Sequence, residues 1–259
     1  MGSRAPQPTY SARPGLCPAF YDGTSGSENF PQTRIYRHRT GRPAAPLLKT
    51  NPLMPDAIHF YEPRQGHGLP HDPFNAIVGP RPIGWISSRN PAGGLNLAPY
   101  SFFNAFNYTP PIVGFASIGY KDTVRNIEQT AEFTWNLTTR ALAEAMNQTC
   151  APVPPDVNEF ELAGLTAAPS RVISAPRVSE SPVSFECKLT QIIQLQGADG
   201  EQVPTWLVLG EVVAVHIAQS LLKDGIYDTA AAGHILRGGG SADYFSVGPE
   251  QLFRMRRPV

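Results

Sequence analysis

Arg81-Pro82-Ile83-Gly84-Trp85-Ile86-Ser87-Ser88-Arg89 is the stretch on which the fold turns. It begins after a proline, is apolar and β-branched through its middle, and ends on two hydroxyls and a guanidinium. That is the pattern of a strand whose end is open to chemistry. Ile112–Ser117 (IVGFAS) repeats the device after Pro111, and Phe133–Leu137 (FTWNL) is a further short strand. Ser184–Leu195 and Trp206–Ile217 are longer β-branched runs separated by Gly197-Ala198-Asp199-Gly200, a hairpin signature. Asp243–Val247 adds a short strand. Helices are few: Asp122 is placed to cap one at Thr123–Ala131 with Val124 and Ile127 on its buried face, and Arg140–Gln148 is made of good helix formers. Many short strands with few helices predict a mainly β barrel or sandwich.

Outward from this body the texture changes. Residues 1–53 are rich in proline, glycine, serine and arginine and keep no period, so we expect a disordered or loosely attached extension before a domain at 54–259. A transit peptide, or a true start at Met54, would account for the same composition. Of the 21 basic and 21 acidic residues, seven basic and two acidic fall in the extension, which leaves the body at a net charge of −5. A mildly acidic body argues against nucleic acid as partner. No run approaches the about 18 apolar residues of a membrane span. The scattered Cys17, Cys150 and Cys187 form no CxxC pair and fit a reducing compartment, the cytoplasm.

Several familiar devices are missing from the sequence: GxGxxG, GxxxxGK[ST], GxSxG and HExxH. Gly238-Gly239-Gly240 reads as a flexible turn. His67 and His71 have zinc-ligand spacing, with His59 nearby, but Gly68 and Pro70 between them would break the required helix, so no metal is expected.

Three segments carry the chemistry. Arg81–Arg89 is the first, Asn96–Phe106 (NLAPYSFFNAF) an aromatic loop with small polar residues, and Ser117–Ile127 (SIGYKDTVRNI) a strand end leading through a lysine into a helix. A phosphate wants hydroxyls, fixed positive charge and a helix N-terminus; Ser87, Ser88, Arg89, Lys121 and Thr123 are of these types. A flat heteroaromatic ring wants an apolar wall with polar atoms along one edge, which Ala98-Pro99-Tyr100-Ser101-Phe102-Phe103-Asn104 can supply. Each also has a plainer reading. Trp85 is placed as a core residue, Phe102 and Phe103 as core or subunit contact, Lys121 and Arg125 as a solvated helix start.

In order and wording, these segments resemble the flavin reductase-like domain, the FMN-binding split barrel, and within it the flavoredoxin-like branch. The resemblance runs from about Phe60 to Arg257 and takes in Leu207–Val213 (LVLGEVV) and a helix-like follow-on at Ser220–Gly225. It implies a six-stranded antiparallel Greek-key split β-barrel with a few flanking helices, dimeric, with FMN at the subunit interface and FAD as the alternative. On the matching positions, Trp85, Ser87, Ser88 and Arg89 would form the first cofactor-binding stretch, Asn96, Ala98, Pro99, Tyr100, Ser101, Phe102 and Phe103 the wall along the ring, and Ser117, Lys121, Asp122 and Thr123 the phosphate side. The implied activity is an NAD(P)H-dependent flavin reductase that passes hydride to flavin N5, with NAD(P)H as a transient co-substrate and an oxygenase or electron-transfer protein as partner. An FMN-bearing electron carrier without NAD(P)H turnover, or a non-catalytic flavin-binding member, are the alternatives. No catalytic side chain is expected, because the cofactor carries the chemistry. One departure is plain: many members place a histidine at the start of the late strand, and Val203-Pro204-Thr205-Trp206-Leu207 has none, while His216 sits at that strand's far end.

Because residues 1–53 lack core periodicity, deleting them should leave the melting temperature of the body unchanged. A large drop on truncation would show that the extension packs on it.

Overall fold

The β-branched runs either side of Gly197–Gly200 fold back on one another as the longest hairpin among the described residues. Gly200 sits at φ +86°, and Asp199 accepts the Glu201 N–H to close the turn. The structure, a computed structural model, describes residues 58–258; the extension 1–53 lies outside them. Among the described residues the main sheet comprises β1 (Gly84–Arg89), β2 (Leu95–Tyr100), β3 (Phe103–Asn107), β4 (Ile112–Ile118), β5 (Glu132–Asn136), β6 (Val183–Gln196) and β7 (Gln202–Ile217). Their order is β2-β1-β5-β6-β7-β4-β3, antiparallel at every pairing.

The order forces the sheet to curl. β2 and β3 occupy its two edges, yet only Ser101 and Phe102 separate them in sequence. With strands about 4.8 Å apart, a flat sheet of this size would hold its edges about 29 Å apart. Three Cα steps from Tyr100 to Phe103 reach about 11 Å. The link is pinned where it crosses: Phe102 O accepts the Ala116 N–H of β4 at 2.8 Å. This is the split barrel that the family resemblance implies, with seven strands in its main sheet rather than six. Asn96–Phe106, read as a loop, is the body of β2, the link and most of β3, while the strand read at Asp243–Val247 falls in a separate small sheet.

Strand alternation sends neighbours to opposite faces. Ile86 joins Phe115, Ile127, Phe133 and Val208 in one core, whereas Trp85 joins Leu97, Met146, Phe160 and Val178 in another. Both faces are therefore covered. Gly210 of β7 makes room for the first core, since a Cβ there would lie 2.3 Å from the Phe133 ring.

Helix α1 (Asp122–Thr130) buries Val124 and Ile127 as expected. Asp122 is its first residue rather than its cap: Lys121 holds the N-cap position, and Asp122 pairs with Arg125 one turn on. A 3-10 turn at Arg140–Leu142 runs into α2 (Ala143–Gln148), and α3 (Glu159–Leu162) is capped by Asn158, which accepts the Phe160 N–H. Ser220–Gly225 is not helix-like beyond a 3-10 turn at Gln219–Leu221; Leu222–Lys223 and Ile226–Tyr227 pair as a small hairpin. Asp224 and Gly225 both take positive φ there, the Asp-Gly signal of a two-residue turn. Tyr244–Ser246 forms the expected late strand, in a small sheet with Arg81–Pro82 and Ile235–Arg237.

Glu186 of β6 is fully buried and holds the segment before Ala175 against the barrel. It accepts the N–H groups of Arg171 at 2.8 Å, Val172 at 2.7 Å and Ile173 at 3.1 Å, and meets His216 Nε2 at 2.5 Å. Burial alone would push this carboxyl up, but those N–H donors and the His216 ring outweigh it and hold it below its ordinary value. A depressed carboxyl contributes stability fully above its unfolded-state value and loses it as pH falls through the folded one. We expect Glu186→Ala to cost about 3–5 kcal/mol, because it leaves three backbone donors and a histidine unpaired. Melts taken from neutral pH down through pH 4 should show the wild type losing this advantage at the acid end. A variant equally stable at neutral pH would refute the anchoring role.

Candidate functional site

The Ser101–Phe102 link and the start of α1 meet across an open cavity of about 580 Å³, within the about 300–1,000 Å³ range of small-molecule sites. Its barrel wall is Ala98, Pro99, Tyr100, Ser101 and Phe102, with Ala116 and Ile118 from β4. Asn96, Lys121, Asp122 and Thr123, together with Thr149–Val153 and Glu159, complete its lining. The structure thus brings Asn96, Ala98, Pro99, Tyr100, Ser101, Phe102, Lys121, Asp122 and Thr123 to one place.

It does not bring the other sequence candidates there. Trp85 is fully buried in the second core, and its ring N–H donates to Thr149 Oγ1 at 3.1 Å. It stands behind the cavity wall. Ser87 donates to Pro176 O at 2.5 Å and accepts from Asn136 at 3.2 Å, while Ser88 accepts from Asn96 at 3.4 Å and Asn126 at 3.3 Å. Both hydroxyls are thus engaged within the protein. Phe103 stacks on Trp135, centroids 5.5 Å apart, and Ser117 donates to Gly119 O at 2.8 Å. Arg89 is exposed, with its guanidinium beside Gly93.

The wall at Thr149–Val153 and Glu159 escaped the sequence reading. The only signal was the proline-rich break at Ala151–Asp156 after a helix, which marks a loop but not what the loop faces. Asn75 at the rim carried no signal at all.

Hydrogen bonds fix the floor of the cavity. Asn96 Nδ2 donates to Thr123 Oγ1 at 2.8 Å, tying β2 to the first turn of α1. Arg81 donates to Ser101 O at 3.1 Å, to Val78 O at 2.6 Å, to Asn75 O and to Gly238 O at 3.3 Å, with its guanidinium 5.5 Å from the Phe102 ring centroid. Burial pushes the Tyr100 phenol up to about 12, against the Thr123 and Ser117 hydroxyls that work the other way, so it stays neutral. Burial likewise raises the Glu159 carboxyl, which its own N–H and the Leu97 N–H, donating at 3.1 Å, only partly offset. Burial raises the Cys150 thiol too. Lys121 has no ion pair among the described residues.

Fold and cavity together define a split-barrel protein with a cavity of small-molecule size beside the link that closes its sheet. The chain matches the flavin reductase like domain over residues 79–233, and it belongs to that family. Component B of nitrilotriacetate monooxygenase from Bacillus cereus superposes with a TM-score of 0.65 at 33% identity, covering 70% of this chain and 90% of that one. The 2-nitrobenzoate 2-nitroreductase of Pseudomonas fluorescens gives 0.63 at 30% identity, covering 71% and 88%. Flavoredoxin of Desulfovibrio vulgaris shares the fold, with a TM-score of 0.59 at 22% identity over 68% of this chain and 90% of its own.

Trp85→Phe removes the donor to Thr149 and, since a phenyl is smaller than an indole, leaves a void in the second core. It should cost about 2–3 kcal/mol in urea unfolding, from the void and the lost hydrogen bond together, and loosen Thr149–Val153, read as faster amide exchange there. Unchanged exchange would show that the indole N–H does not hold the wall.

Proposed function

We propose that the chain is an FMN-binding oxidoreductase, a flavin reductase that takes hydride from NADH or NADPH and works as a homodimer. The observation that carries this reading is a cavity lined both by Ala98–Phe102 and by Lys121 at a helix N-terminus. Those are the demands of an isoalloxazine ring at one end and a phosphate at the other.

The residues present fit FMN. Lys121, the Thr123 hydroxyl and the first N–H groups of α1 would hold the phosphate, and Pro99, Tyr100 and Phe102 would flank the ring. When bound, the flavin supplies the redox chemistry by accepting hydride at N5. The chain binds and orients. Tyr100, neutral, offers a hydroxyl without a competing charge, and Thr149–Val153 shields the wall from water. No acid–base side chain is required, in keeping with the absence of a nucleophile–base pair from the motifs. Phe106 and Tyr108, exposed at and just beyond the β3 edge, supply apolar area for a second copy. The monooxygenase component among the structural neighbours supports an oxygenase as the consumer of reduced flavin.

A second reading, an FMN-bearing electron carrier without nicotinamide turnover, draws on the missing histidine in Val203–Leu207. Thr205 and Trp206 of that stretch pair with Ile118 and Ser117 at the end of β4, and Trp206 packs edge-on to Tyr120.

Adding FMN to the purified protein and then NADH or NADPH without air separates the two readings. Loss of the flavin's visible band on addition of a nicotinamide establishes the reductase and names its donor. Binding without bleaching favours the carrier, and failure to bind flavin refutes both. Lys121→Ala should weaken FMN by about 1–3 kcal/mol, the scale of a hydrogen bond to a charged group; an unchanged titration would remove Lys121 from the site.

A further inference from the structure

Arg81 is not part of the cavity lining, yet it touches three residues that are. Its buried guanidinium donates to Ser101 O at 3.1 Å and to Asn75 O, and stands 5.5 Å from the Phe102 ring centroid. Further donations go to Val78 O at 2.6 Å and to Gly238 O at 3.3 Å. The short turn Phe74–Ile77 and the loop at Gly239 meet backbone to backbone, since a Cβ on Gly239 would lie 2.2 Å from Ala76 Cα. Arg81 therefore joins the rim turn, the late glycine loop and the Ser101–Phe102 link at one point. Among the described residues it has no carboxylate partner, and the charged neighbour that acts on it is Arg237, of the same sign. Carbonyl dipoles solvate a guanidinium without cancelling its unit charge. A buried charge is also screened less by water and salt than an exposed one.

We propose that Arg81 is a positioning residue for the redox reaction, one whose uncompensated charge makes the cavity favour the reduced form of its flavin over the oxidised form. This rests on the flavin reading. A hydride carries two electrons and one proton, so the ring that takes it up gains one negative charge, and the nicotinamide that gives it up becomes one unit more positive. A fixed cation behind Ser101 and Phe102 stabilises that added charge and does nothing comparable for a neutral ring. Lys121 plays a different part. It is assigned above to the phosphate, whose charge does not change on reduction, so it helps both forms alike.

Titration of FMN into the full chain, oxidised in air and reduced under anaerobic dithionite, tests this through the ratio of the two dissociation constants. Arg81→Gln should lower the preference for the reduced form at least tenfold, which is about 30 mV of two-electron midpoint potential. Arg81→Lys retains the charge and should keep most of that preference. Both of its forms should bind more weakly, because an ammonium cannot serve four acceptors around a plane. Lys121→Ala should weaken both forms equally. A preference unchanged in Arg81→Gln overturns the proposal, and so does one lost to the same extent in Arg81→Lys, which would mark a purely structural role. If Arg81→Gln does not fold, Arg81→Lys decides: weaker binding with the preference kept supports the proposal, and a lost preference overturns it. Failure of wild type to bind FMN in either form sinks the flavin reading and this inference with it, whereas binding with a preference indifferent to Arg81→Gln sinks this inference alone.

Discussion

Everything in this molecule answers to the two residues between Tyr100 and Phe103. They join the opposite edges of a seven-stranded sheet, and no flat arrangement lets so short a link do so. Closure of the barrel is therefore a covalent requirement as well as a packing preference. The same residues form the wall of the principal cavity, so the constraint that shapes the fold also sets the site. Arg81 secures the join from behind, donating to four backbone carbonyls and lying over Phe102. Its charge is met by carbonyl dipoles with no carboxylate in the set. Burial, and then Arg237, lower its affinity for the proton, but from so high a starting point that it stays cationic. A lysine could not serve four acceptors spread around a plane.

Closure alone would leave the far wall free. It is held by side chains that begin in β1 and reach outward. Trp85 passes its N–H to Thr149, and Ser88 gathers the amides of Asn96 and Asn126, while Asn96 also reaches Thr123. A strand covered on both faces can work in two directions at once, and β1 does. The Ser88 hydroxyl and the Trp85 indole hydrogen-bond to residues that line the cavity, Asn96 and Thr149. Placing the binding residues on a rigid strand and helix start, with a buried hydrogen-bonded layer beneath, is how a site keeps its geometry.

The strands and the hairpin were legible because β-branched runs and turn glycines report local structure directly. The wall Ala98–Phe102 was legible for a related reason: small and aromatic residues together are rare outside a site or a core, and here the local sequence decides which atoms face out. Ser87 and Ser88 show the limit. Their type suits a phosphate, but their fate depends on Pro176 and Asn126, far along the chain, and only the fold brings those near. Thr149–Val153 shows the opposite failure. It contributes position more than chemistry, and a proline-rich break after a helix looks the same whether it faces a ligand or water. At Ser220–Gly225 the helix-forming Leu221, Leu222 and Lys223 masked an Asp-Gly turn that local sequence did encode.

Charge at the principal cavity is more favourable to an anion than its residue list suggests. Asp122 and Glu159 both line it, and two carboxylates would oppose a phosphate. Asp122 is paired with Arg125, which removes its net charge from the helix start. Burial raises the Glu159 carboxyl, and its own N–H and the Leu97 N–H, both donating to it, disperse its charge. Tyr100 remains neutral throughout. What is left unbalanced is Lys121, at the N-terminus of a helix whose first N–H groups point the same way. The positive end of the cavity is therefore set by what has been neutralised around it as much as by the lysine itself. An occupant that is flat at one end and anionic at the other has one orientation in which both ends are satisfied.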